Sequence, residues 1–205
     1  MDGAFSFTAL DPGDAKVRAI TRTEGSGEAT AELREGEVAE VELKIRADAR
    51  NEAKVMVVTG GKPLANVFVF IARGGRVSAA TTSADGRATV HLIQGDGPVQ
   101  IGAYDGARGW TFVPSRTAGD DEMVIEATGG AGSLTVHSDT LTPLFITAPN
   151  GFPIQEALAI LGSRPIARPS VPYVLPSLPP GAYSVSAGNA MKTVTITSKP
   201  AEVRF

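Results

Sequence analysis

The chain has 205 residues, 42% of them hydrophobic and 20% charged, the make-up of a globular protein rather than a disordered one. A net charge of −3 leaves no basic field for phosphates or anionic lipid, which argues against nucleic-acid binding. Cysteine is absent, which removes disulfides, thiolate nucleophiles and zinc–sulfur sites, and no apolar run is long enough for membrane insertion, so neither a cofactor nor a membrane span is expected.

Frequent β-branched residues together with 23 Gly and 14 Pro predict many short strands joined by many turns. The first residues, MDGAFSFTAL, lack a basic start followed by a long apolar stretch and so do not read as an export signal. The acidic residues between Glu24 and Glu52 alternate with apolar ones, as on the wet face of strands. Val41, Leu43 and Ile45 in particular alternate with Glu40, Glu42 and Lys44, which predicts a strand.

In the middle of the chain, AKVMVVTGGKPLANVFVFIA precedes TTSADGRATVHL and VQIGAYDGARGW. The run Val67 to Ile71 is apolar on both strand faces, so its second face needs a cover, either a neighbouring repeat or an external partner. Asp85-Gly86, Asp96-Gly97, Asp105-Gly106 and Asn150-Gly151 sit where tight hairpins need cheap positive φ. Towards the end, Leu134 and Val136 alternate with Thr135 and His137. Ile154, Leu158 and Leu161, closed by Gly162, have helical spacing, but EALAIL also reads as a strand, and strand is the reading taken. Prolines between Pro143 and Pro180 predict edge strands and a surface loop near Ser163 to Pro172.

Set side by side, these segments form an internal repeat. Gly61-Lys62-Pro63-Leu64 stands ahead of Val67 to Ile71, Thr82-Ser83-Ala84-Asp85-Gly86 ahead of Ala88 to Leu92, and Leu178-Pro179-Pro180-Gly181-Ala182-Tyr183-Ser184-Val185 before the last strands. In these pieces the chain resembles the carboxypeptidase regulatory-like domain family, and the resemblance implies a transthyretin-like, immunoglobulin-like sandwich of about seven strands. The expected fold is therefore all-β, with tandem sandwiches: a partial repeat over residues 1–53, a fuller one over 54–127 and a more divergent one over 128–205. The first repeat resembles only the closing half of such a unit and leaves Phe5 and Phe7 without a partner sheet, which leads to the expectation that Met1 lies inside a longer ancestral polypeptide.

Catalytic candidates are few. The only histidines, His91 and His137, fall on the polar phase of strands, and the neighbours in His137-Ser138-Asp139 point to opposite faces, so no catalytic residue is assigned. No metal site is assigned either, because the Asp-Gly pairs lack calcium-loop spacing, although Asp120, Asp121 and Glu122 form an acidic cluster. The sharpest binding candidate is an aromatic platform: Tyr104 and Trp110 flank the DGARG loop that carries Arg108, and such rings could stack on a sugar.

The expected function is a non-catalytic structural or adhesive module that spaces domains or binds a protein partner or neighbouring repeats. The alternative is a carbohydrate-binding module at Tyr104, Arg108 and Trp110. The resemblance, rather than any residue, implies the cell envelope or the outside of the cell.

Overall fold

The computed structural model describes residues 5–8, 10–20, 26–44, 52–92, 97–116 and 121–205. The chain forms two compact units, Met1–Asn51 and Glu52–Phe205. Among the described residues every element but one is a strand, as the alternation predicted.

In the first unit, β1 (Gly13–Ile20) pairs antiparallel with β2 (Ser26–Leu33) from Gly13↔Leu33 to Ile20↔Ser26. The period-2 pattern puts Val17, Ala29, Ala31 and Leu33 on a half-buried face, while Lys16 and Glu28 form an exposed ion pair at 2.7 Å. The predicted strand around Val41 is corrected. Residues 38–44 keep their alternation, with Val41 and Leu43 half-buried between exposed Glu40, Glu42 and Lys44, but they join no ladder; Ile45 lies outside the described residues. Alternation needs only one apolar face to rest on, whereas a strand also needs a free edge in register. Phe5, Phe7, Leu10 and Val38 line an open trough over this hairpin.

The second unit contains two sandwiches. The strands of the first are β3 (Glu52–Thr59), β4 (Lys62–Pro63), β5 (Phe68–Arg73), β6 (Arg76–Thr81), β7 (Arg87–His91), β8 (Val99–Asp105), β9 (Gly109–Arg116) and β10 (Met123–Glu126). Strand β3 lies between β7, antiparallel, and β10, parallel, with β4 folded back on its end, and the facing sheet runs β6-β5-β8-β9. The second sandwich comprises β11 (Gly132–His137), β12 (Thr142–Thr147), α1 (Ile154–Ile160), β13 (Ile166–Ala167), β14 (Tyr173–Leu178), β15 (Gly181–Ala187), β16 (Ala190–Ile196) and β17 (Ala201–Arg204). Here β11 lies between β14, antiparallel, and β17, parallel, and the facing sheet runs β13-β12-β15-β16. Apart from β4, which has no counterpart in the second, the two sandwiches share one topology. The second inserts α1 where the first has the short Arg73–Arg76 hairpin of β5 and β6.

Two cores result. Ala53, Val55 and Val57 of β3, Ala88 and Val90 of β7 and Ile125 of β10 meet Val69, Ile71 and Ile101 from the facing sheet. Leu134, Val136, Leu144, Ile146, Val185 and Ile196 build the second core, which also takes in Phe70, Ala72 and Trp110 from the first sandwich. Along the Val67–Ile71 run, Val67, Val69 and Ile71 face the first core and Phe70 faces the second, whereas Phe68, on the same side as Phe70, stays 38% exposed.

Two expectations are corrected by this packing. Asp85-Gly86 is not a hairpin turn, because β6 pairs with β5 and β7 with β3, so the turn crosses between sheets. Glycine is required there: φ is +76°, and a Cβ would sit 2.7 Å from the carbonyl oxygen of Val57. Residues 154–160 are a helix rather than a strand. Ile154, Ala157 and Leu158 fall on one face at helical spacing and bury it in the second core. A further cause is that Gln155 Oε1 accepts from the Ile146 N–H at 3.1 Å, which ties the helix to β12.

Candidate functional site

Tyr104, Arg108 and Trp110 lie at the end of β8, in the β8–β9 turn and at the start of β9, and this region is the seam between the two sandwiches. Alternation along β9 turns Trp110 and Phe112 away from the first core and towards the second. Trp110 is 1% exposed, with Tyr104, Phe112 and Phe70 at ring-centroid distances of 5.0, 5.7 and 5.9 Å. Tyr104 is half-buried against the same cluster. No face of the indole is free for a sugar to stack on. The two rings that the sequence put together are together, but they point into the protein.

Arg108 is exposed and its Nη1 donates to Asp105 Oδ2 at 2.6 Å, while the Ala107 N–H donates to Asp105 Oδ1 at 3.0 Å. The loop thus satisfies its own charges. Its other side is pressed against the second sandwich. Gly109, rather than Gly106, carries the positive φ of the turn, and a Cβ there would lie 2.1 Å from Ser177 Cβ in β14. The Gly130 N–H donates to the Arg108 carbonyl at 3.1 Å, and the Gly129 N–H to Thr111 Oγ1 at 3.2 Å, so the connection between sandwiches is tied to the first of them.

Asn150, read from sequence as a hairpin residue, is the polar centre of the seam. The β8–β9 ladder shifts register between Val99 and Ile101, and beside this bulge Asn150 Nδ2 donates to the Ile101 carbonyl at 3.0 Å and the Val113 carbonyl at 2.7 Å. Its Oδ1 accepts from the Phe152 N–H at 3.1 Å, and Ser115 Oγ donates to the Asn150 carbonyl at 2.9 Å. Two acceptors on one side and one donor on the other admit only this orientation of the amide. Beside it the Phe152 ring lies over Gly102, where a Cβ would come within 3.2 Å of Phe152 Cε1.

The acidic and histidine candidates are dispersed. Glu122 Oε1 accepts from Arg87 Nε at 2.8 Å, Asp121 is exposed and Asp120 lies outside the described residues. Among the described residues no three His, Cys, Asp or Glu side chains converge to hold a metal. His137 Nε2 lies 3.5 Å from Glu202, and Ser138 Oγ instead donates to the Thr140 carbonyl at 2.9 Å, so the triad types do not assemble around His137.

No protein-family model and no curated protein matches the sequence. Solved structures similar to this chain include the following two. One is the Bacillus anthracis TIE protein, at 12% identity and a TM-score of 0.29, covering 96% of this chain and 43% of that one. The other is a streptococcal ancillary pilin, at 13% identity and a TM-score of 0.31, covering 95% of this chain and 76% of that one. The chain therefore spans less than half the length of the first.

Electrostatics makes the seam loop sensitive to acid. Burial of the Asp105 carboxyl raises its pKa, but the Ala107 N–H and the Arg108 guanidinium outweigh this and hold it below the usual 3.8. A carboxyl depressed on folding stabilises the fold above its unfolded pKa, and that contribution is lost as pH falls through the folded value. Thermal melts at pH 5, 4 and 3 are expected to show a smaller acid-induced drop for Asp105→Asn than for the wild type; equal drops would remove Asp105 from the account.

Proposed function

We propose that the chain is a non-catalytic β-sandwich module of the carboxypeptidase regulatory-like kind, with residues 54–127 and 128–205 as successive repeats, that sets a fixed distance and orientation between what is attached to it, in the cell envelope or outside the cell. The observation that carries this reading is the shared seam. Phe70 and Trp110 of one sandwich belong to the core of the other, and Asn150 bonds across the boundary to two strands. Repeats meant to hinge would meet through a small polar contact and an exposed linker; these share a core, so bending at the boundary would expose aromatic rings and unpair carbonyls. With Trp110 facing inward, spacing and presentation account for the seam better than ligand capture by Tyr104, Arg108 and Trp110 does.

Rigidity can be measured directly, because the absence of cysteine makes introduced thiols unique. Spin labels at Thr89→Cys on β7 and Thr193→Cys on β16, both exposed, are expected to give one narrow distance distribution that does not broaden between low and high salt. A broad or two-peaked distribution would mean that the repeats hinge, and the spacer reading would be abandoned.

A further inference from the structure

In each sandwich of the second unit, the first strand of the chain is hydrogen-bonded in parallel to the last. Strand β10 lies on β3 with Met123↔Val55 to Glu126↔Val58, and β17 lies on β11 with Leu134↔Ala201 to His137↔Arg204. Each ladder is carried one residue further by the same backbone bond, Ala127 N–H to the Val58 carbonyl at 2.7 Å and Phe205 N–H to the His137 carbonyl at 3.0 Å. From these paired ladders we infer that Glu52–Phe205 is a load-bearing element, built to resist tension applied along the chain.

The reason is geometric. In a parallel pair, the chain enters one strand and leaves the other at opposite ends of the ladder. Tension between those points runs along the strands and loads the hydrogen bonds of the ladder together. Had the two strands been antiparallel, the same tension would act at one end and open the bonds in turn. Here the force enters at β3, crosses to β10, passes through residues 127–131 to β11 and leaves by β17, so two shear ladders act in series. Strands β4 to β9 and β12 to β16 lie off that path until a ladder gives way.

Side chains reinforce the loaded ends. The Gly60 N–H donates to Glu126 Oε1 at 2.6 Å, and Thr59 Oγ1 to the Ala127 carbonyl at 3.4 Å. At the second ladder Lys192 Nζ donates to the Arg204 carbonyl at 2.5 Å and lies 5.3 Å from the centre of the Phe205 ring. The connection between the ladders is held to the first sandwich by Gly129 and Gly130. The load-bearing property is separate from rigidity at the seam, since either could hold without the other.

Single-molecule pulling on the full chain, through introduced cysteine pairs, tests the inference. Lys54→Cys with Thr128→Cys pulls β3 and β10 from opposite ends in shear; Lys54→Cys with Asp121→Cys pulls the same ladder from one end and peels it. All three positions are exposed, and the buried Trp110 reports by its emission that each variant is folded before pulling. At one loading rate the shear pair is expected to yield at a several-fold higher force than the peel pair, because forced unfolding reads the barrier along the pulled direction. Should either variant fail to fold, Ser133→Cys with Arg204→Cys against Ser133→Cys with Lys199→Cys makes the same comparison on β11 and β17. Equal forces in the two directions would overturn the inference.

Discussion

Phe152→Ala is expected to lower the stability of the second unit by about 4 kcal/mol, the usual cost of deleting a fully buried aromatic ring. The ring has no solvent exposure and lies 5.8 Å from Phe112 and 6.3 Å from Phe70, so it fills the space between the sheet of one sandwich and the helix end of the other. Gly102 leaves room for the ring and no spare atom to collapse into the hole, so relaxation can recover little of the loss. In a unit of this size the change amounts to roughly 10 °C in the melting temperature. Calorimetry or denaturant titration followed by Trp110 emission checks it, and a loss under about 1 kcal/mol, the size of a surface substitution, would show that the seam is not a true core.

Asn150→Ala is expected to cost about 3 kcal/mol, since each partly buried polar group left without a partner costs about 1–3 kcal/mol. The groups concerned are the carbonyls of Ile101 and Val113 and the N–H of Phe152. Asn150→Asp separates donor from acceptor. It keeps the acceptor for Phe152, loses both donors and sets a negative charge against two carbonyl oxygens. At neutral pH it should destabilise at least as much as alanine. The aspartate pKa would be raised in the folded state, so its penalty is present above that value and relieved as pH falls and the carboxyl gains an O–H donor. The deficit of Asn150→Asp relative to the wild type should therefore shrink on acidification, while that of Asn150→Ala should not. Parallel behaviour of the two variants would exclude the donor role of Nδ2.

The same residues show how far sequence reasoning reaches. The alternation of β3, β11 and β15 is local and strong, because a strand with one face on a core must repeat every two residues, and such segments are visible without coordinates. The double-faced run from Val67 to Ile71 also announced that it needed a second cover. The pairing of Tyr104 with Trp110 followed from their flanking one turn, but not the direction in which they face.

What tertiary structure alone decided is everything that depends on a partner far along the chain. Asn150 and Asp85 both carry turn chemistry in front of a glycine, yet one bridges to carbonyls 49 and 37 residues away and the other turns the chain between two sheets. Residues 154–160 have apolar spacing that suits a strand or a helix, and only the second core, with Gln155 tied to Ile146, selects the helix. Residues 38–44 have a strand's pattern without a ladder. Periodicity records which face of a segment avoids water, an energy set by each residue where it stands. Which surface covers that face, and which donor reaches a carbonyl across it, are properties of pairs brought together by the whole chain.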